Sequence, residues 1–218
     1  MPNFQKIIDV LTGALCILDF SHIISGTATY LIITLSLYLH GIHLEMINIT
    51  WTIICSVLLA YISGVFSWAL GKTIRKICFD TAEDFKQQFQ GAVASFKDKL
   101  PSDLLTMSDA DLYAFFWIEL GKKSKERADF INRFWVMQAM FEGLIASCLV
   151  AFIAVIDLKY SFSDAFCAYY VLGLLLVLPF AAWIFALLAR EQARFQIKEV
   201  VLGYRSYCCP ADSIFFRS

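Results

Sequence analysis

The sequence predicts an all-α membrane protein with four transmembrane helices, arranged as two hairpins with a cytosolic helical insertion between helices two and three. Three observations support this fold class. Of the 218 residues, 59% are hydrophobic and only 17% are charged, which is typical of membrane proteins. Four apolar runs are each long enough for a helix to cross roughly 30 Å of hydrocarbon. Lysine and arginine are rare in the two short turns that join these runs in pairs.

The clearest apolar run is Ile49–Leu70, which has no charged residue and is followed at once by Lys72, Arg75 and Lys76. Basic residues directly after a span mark its cytoplasmic end. The other three predicted spans contain no charge except Glu142, and they are His22–Leu39, Trp135–Ile156 and Ala165–Ala189.

The distribution of positive charge predicts the topology. Of the 18 lysines and arginines, only Lys159 lies in the turns 40–48 and 157–164. The positive-inside bias therefore places both termini and the middle of the chain in the cytoplasm.

We expect five segments along the chain. They are an interfacial amphipathic helix (1–20), a first transmembrane hairpin (21–71), a cytosolic helical insertion (72–133), a second hairpin (134–189) and a cytosolic tail (190–218).

The N-terminal segment has one apolar face, which includes Phe4, Ile7, Leu11 and Leu15. A helix of this kind can lie flat in the membrane interface, and packing on the cytosolic domain is the alternative.

The insertion is rich in phenylalanine. Helical spacing places Phe85, Phe89 and Phe96 on one face, and a second short helix carries Phe115 and Phe116. Two short helices cannot bury this much aromatic surface between themselves, so they should pack on each other, on the extended ends of spans two and three, or on another subunit. We therefore expect the surface to be covered by other subunits or by a soluble partner.

A basic cluster precedes the third span and consists of Lys122, Lys123, Lys125 and Arg127. We expect it to orient a docked partner or ligand beside the membrane. Attraction to anionic lipid headgroups is the simpler explanation, and binding of a phosphate-bearing ligand or of nucleic acid is the more specific one.

Glu142 is the one acidic or basic residue, counting Asp, Glu, Lys and Arg, inside a predicted span. A carboxylate at that depth is costly unless it faces a bundle interior or a water-filled path, which makes Glu142 a gating candidate. Pairing with a nearby arginine, or extension to the headgroups, is the alternative.

Small residues recur every four positions in the second and third spans. Because such rows let helix backbones approach closely in lipid, we assign them to contacts between subunits. Packing within one subunit and lining of a pore are the alternatives. The residues are Ser56, Ala60, Gly64, Gly143, Ser147 and Ala151.

No residue pattern typical of a catalytic, cofactor or metal site is present. The closest is His40, His43 and Glu45 in the first outer turn, which we interpret as an exposed polar turn. The sequence therefore predicts a protein that is not an enzyme and that binds no cofactor or metal.

The layout resembles small four-span membrane proteins of bacterial antiphage defence systems. The resemblance covers most of the chain and includes the run from Lys122 to Arg127 and the run from Asn132 to Trp135. The membrane subunit of the Kiwa system is the first candidate, and the membrane effector of the Hailong system is the second. The resemblance implies an inner-membrane homo-oligomer, for which we expect a tetramer. The cytosolic partner would be a DNA-binding protein in the first case, and a nucleotide would be the ligand in the second.

Two functional hypotheses follow. The first is a membrane sensor and scaffold that docks a cytosolic defence partner and relays a signal. The second is a ligand-gated ion channel or pore that depolarises the membrane.

Overall fold

The computed structural model describes residues 17–42, 49–162 and 168–208. In these stretches the chain forms seven α-helices and one 3₁₀ turn (Lys97–Lys99), and no strand. The helices are α1 (Ile17–Leu39), α2 (Ile49–Cys78), α3 (Thr81–Ala94), α4 (Ser102–Leu105), α5 (Asp109–Lys123), α6 (Lys125–Ser161) and α7 (Ala168–Cys208).

Four of the helices, α1, α2, α6 and α7, are long and apolar enough to cross a membrane. The predicted all-α class with four transmembrane helices is thereby confirmed, and the chain has the helices of a multi-pass membrane protein. The predicted interfacial helix falls almost wholly outside the described residues, as do residues 43–48 of the first outer turn, residues 163–167 and the last ten residues of the chain. Most of the second predicted outer turn (157–164) is described, and α6 continues through it as far as Ser161.

The last two helices are much longer than the spans that they contain. α6 has 37 residues and begins after Ser124, whose hydroxyl accepts a hydrogen bond from the Arg127 amide. α7 has 41 residues and includes Pro179. The region from Arg190 to Cys208, predicted only as a cytosolic tail, continues the fourth span as helix.

The chain divides into two compact units. We call the first the membrane unit, which consists of the residues up to Cys78 together with Val136–Ala189. We call the second the insertion unit, which consists of Phe79–Trp135 together with the residues from Arg190 onward.

In the membrane unit, α1 and α2 pack with their backbones in direct contact. A Cβ atom on Gly64 would lie 1.8 Å from the carbonyl oxygen of His22, and a Cβ on Gly26 would lie 1.8 Å from that of Ala60. Only glycine allows this approach, because a side chain at either position would collide with backbone atoms.

Glycines also bring α6 into contact with its neighbours. A Cβ on Gly71 of α2 would lie 1.6 Å from the carbonyl oxygen of Glu142, and one on Gly143 would lie 2.3 Å from the hydroxyl of Ser25. The close approach of α6 to both α1 and α2 therefore depends on these two glycines.

The core of the insertion unit joins its short helices to the end of α7. Phe89 and Phe116 are almost fully buried, as are Val200 and Val201 of α7. The ring of Tyr204 stacks on Phe116 with 4.1 Å between centroids. The C-terminal part of α7 is therefore a central element of this unit.

We predict that Gly64→Ala destabilises the membrane unit by about 1–3 kcal/mol, because the new methyl group overpacks the contact between α1 and α2. Gly173→Ala is the matched control, since no heavy atom lies within 4 Å of its added Cβ. The measurement is the midpoint of thermal unfolding in detergent. Equal midpoints for the two variants would contradict the prediction.

Candidate functional site

A buried ion pair lies inside the membrane unit. Arg75 of α2 donates from Nε to Oε1 of Glu142 on α6 at 2.7 Å, and the two side chains are only 8% and 1% exposed. Gln138, one turn earlier on α6, donates from Nε2 to the same oxygen at 2.9 Å. Two donors from two helices therefore hold one carboxylate in the interior of the unit.

The packing of α2 positions this pair. Gly71 lies one helical turn before Arg75, and its missing side chain lets the α6 backbone at Glu142 approach α2. The pair closes one continuous buried face of α2, which consists of Ala60, Gly64, Ser67, Gly71 and Arg75.

A cluster of hydroxyl groups joins the same three helices. The Thr29 hydroxyl on α1 lies 2.9 Å from the hydroxyls of Ser67 on α2 and Ser147 on α6. The Ser147 hydroxyl also lies 3.1 Å from the carbonyl oxygen of Ser25. All four residues are buried. These groups satisfy one another in a region where hydrocarbon supplies no partner.

The ion pair and the hydroxyl cluster fix the register of α1, α2 and α6. Removing either member of a buried pair leaves the other charge without compensation, at a cost of about 3–5 kcal/mol. Small sliding movements of α6 against α2 are therefore opposed, and any rearrangement must form new partners for both charges.

Glu142 pairs with Arg75, which corresponds to the sequence-based alternative that Glu142 pairs with a nearby arginine. Glu142 was identified from the sequence as a candidate site residue, whereas Arg75 was interpreted only as a marker of the cytoplasmic end of the second span. The available signal was the spacing of Gly64, Ser67, Gly71 and Arg75, which places them on one helical face.

Four of the six small residues, Ala60, Gly64, Gly143 and Ser147, pack within the membrane unit. Gly64 packs on α1, and Gly143 packs on Ser25, so neither position is free for the contact between subunits to which the sequence assigned it. Ala60 and Ser147 are buried in the same interior. The Ser56 hydroxyl lies 3.3 Å from that of Tyr30, and Ala151 is half-buried.

The aromatic surface of the insertion needs no second molecule to cover it. Phe89 and Phe96 are 1% and 2% exposed, and residues of α7 including Ile197 and Val200 belong to the same core. Phe85 is half-buried and stacks on Phe89. The expected covering by a partner is corrected here, because the segment after Arg190 belongs to this core as helix.

The basic cluster is divided among separate local contacts. Lys122 pairs with Glu119 at 2.8 Å, and Arg127 pairs with Glu199 at 3.5 Å. The Lys123 ammonium lies 5.9 Å from the centroid of the Tyr207 ring, and Lys125 is exposed. Two of the four cations are therefore partly neutralised within the chain.

A second ionic site, which the sequence did not reveal, holds the insertion unit together. Asp84 of α3 accepts hydrogen bonds from Arg190 at 3.0 and 3.1 Å and from Arg194 at 3.0 Å. The Arg190 guanidinium also lies over the Phe79 ring. Burial by itself raises the pKa of Asp84, but the hydrogen bonds from Arg194 and Arg190 outweigh it, so the pKa lies below its ordinary value of 3.8.

No group of three potential metal ligands occurs among the residues that the structure describes. His40 at the end of α1 lies 3.3 Å from Asp157 and 3.2 Å from Ser161. His43 and Glu45 lie outside the described residues.

In comparisons with known proteins, no protein-family model, no curated protein and no solved structure matches this chain.

We predict a strongly non-additive double-mutant cycle for Arg75→Gln and Glu142→Gln. Each single variant should lower the stability of the membrane unit by about 3–5 kcal/mol, and the double variant should cost less than the sum. The measurement is unfolding by denaturing detergent. Lys76→Gln, which changes an exposed neighbouring cation, should have little effect. Additive costs would show that the two charges do not depend on each other.

We also predict that the Asp84 site makes the insertion unit sensitive to acid. Because its folded-state pKa is below 3.8, Asp84 contributes stability above that value, and the contribution is lost as the pH falls through the folded-state pKa. Asp84→Asn should remove this acid-dependent loss, whereas the exposed control Asp98→Asn should retain it. Protease resistance measured from about pH 5 downward, through and below pH 3.8, detects the effect.

Proposed function

We propose that the protein is a membrane-embedded sensor and scaffold subunit whose insertion unit docks a cytosolic partner. The supporting observation is the continuity of α6 and α7, each of which contributes to both units. α6 carries Ile131 in the core of the insertion unit and Glu142 in the ionic site of the membrane unit. α7 likewise carries Ala189, which is buried in the membrane unit, and Val200, which is buried in the insertion unit.

Shared helices provide a physical route for a signal. A partner that shifts the N-terminal part of α6 acts on the same helix that holds Glu142 against Arg75. Because a buried charge pair resists gradual displacement, such a helix favours discrete positions over continuous movement. A helix with discrete positions can relay a signal from a bound partner to the membrane unit.

The docking surface in this proposal differs from the aromatic face predicted from the sequence. Ile118 of α5 is 54% exposed, and Phe130 of α6 is 45% exposed. Lys122 follows Ile118 by one helical turn, and Lys125 is also exposed. Ile118 and Lys122 therefore share one face of α5, and a face that combines an apolar and a basic side chain fits a partner whose contact region is apolar with acidic residues at its edge.

The biological setting belongs to the same proposal. We place the protein in the bacterial inner membrane with both termini in the cytoplasm, as a homo-oligomer acting in antiphage defence. The positive-inside bias supports the orientation, and the resemblance in layout supports the setting and the assembly.

A ligand-gated channel is the second candidate. The buried hydroxyls of Thr29, Ser67 and Ser147 favour it, because hydroxyl groups can line an ion path. Their hydrogen bonds to one another also serve to pack three helices, so this candidate takes second place.

The test combines co-purification with a flux assay. The chain is expressed with the proteins encoded beside it, and we expect one of them to co-purify and phage plating to fall. Ile118→Asp with Lys122→Glu should abolish both effects. Leu105→Asp with Lys97→Glu is the matched control, since it replaces an exposed aliphatic residue and an exposed lysine with acidic residues elsewhere on the insertion unit.

The flux assay separates the two candidates. The purified protein in liposomes should conduct no ions, with or without added nucleotides. Nucleotide-dependent flux would favour the channel, and unchanged co-purification in the Ile118 and Lys122 variant would overturn the proposed docking surface.

A further inference from the structure

An apolar groove opens on the surface of the membrane unit between α2, α6 and α7. It encloses about 270 Å³ and is lined by residues that include Ile74, Ile145, Cys148, Phe152, Pro179 and Trp183. No charged side chain contributes to the lining.

The groove has a buried floor and an exposed rim. Ile145 and Ala186 form part of the floor and are each 2% exposed, whereas Leu149 and Trp183 at the rim are 38% and 47% exposed. It is therefore an open groove on a membrane-spanning surface and not a closed void.

The dimensions suit a flexible hydrocarbon chain. The lining on α7 extends from Leu178 to Ala186, which corresponds to about 12 Å at the helical rise. Half of the hydrocarbon core is about 15 Å thick, so the groove covers most of one leaflet. Its volume is almost twice that of an apolar cavity of about 150 Å³ that takes up benzene.

The position along α2 indicates which leaflet is involved. Ile74 and Cys78 line the groove at the basic end of that helix, and Lys76 between them is exposed. Positive charge at this end suits the phosphate of a lipid whose chain extends into the groove.

We propose that this groove binds one acyl chain of a membrane phospholipid from the leaflet at the basic end of α2. Only 6% of the most apolar stretch of α7 is buried within the chain, so this helix presents an apolar surface that suits contact with hydrocarbon. An unfilled groove would leave the exposed lining residues Leu149 and Trp183 without dispersion contacts on the groove side, and an acyl chain supplies those contacts.

Photolabelling of the wild-type protein tests the proposal. The full chain is reconstituted in vesicles of phosphatidylethanolamine and phosphatidylglycerol that contain a phosphatidylglycerol with a diazirine in its acyl chain. We expect label to concentrate on Leu149, Phe152 and Ala182, which line the groove and are at least partly exposed. Leu172 and Leu176 of α7 serve as references, because they are exposed and lie outside the groove.

Filling the groove provides a second test. Ala182→Phe places a ring among the lining residues, whereas Ala181→Phe makes the same change at a neighbouring position that does not line the groove. Native mass spectrometry after detergent washing should show a retained phospholipid on the wild type and on Ala181→Phe. The phospholipid should be lost from Ala182→Phe.

Three results would overturn the proposal. They are equal labelling of the groove and the reference leucines, the absence of a retained phospholipid on the wild type, and a cross-link showing a second copy of the chain seated in the groove. The wild-type measurements decide the matter even if Ala182→Phe fails to fold.

Discussion

The contact between Arg75 and Glu142 is the interaction on which the membrane unit depends. Two charges are removed from water within a bundle of apolar helices, so each requires the other at close range. That geometry in turn requires the backbones of α2 and α6 to touch, which Gly71 allows. The close packing of α2 against α6 and the pairing of Arg75 with Glu142 therefore depend on each other.

The same logic extends along α1. Thr29, Ser67 and Ser147 bring polar hydroxyls into a region that offers no water, and each hydroxyl is satisfied by another helix. Polar contacts join α1, α2 and α6, whereas the most apolar stretch of α7 is little buried within the chain. The lipid groove proposed above lies where α7 borders α2 and α6.

Different interactions stabilise the insertion unit. Its interior is aromatic and includes the stacked rings of Phe116 and Tyr204, while the ion pairs of Asp84 with Arg190 and Arg194 tie α3 to α7. α7 closes this core, so the proposed partner must bind the outer surface and cannot use the buried phenylalanine face. This requirement moves the proposed contact to Ile118 and its neighbouring lysines.

The number and approximate positions of the spans could be derived from the sequence, because length, hydropathy and flanking charge are local properties. The start of α6 after Ser124 was equally local, since an N-cap acts within one turn. The site was only half predictable: Glu142 stood out by itself, but its partner is 67 residues away and becomes evident only when α2 and α6 meet. Similarly, apolar periodicity predicts that Phe89 and Phe116 are buried. Only the tertiary structure determines that α7 buries them, because the packing partner depends on which helical faces meet.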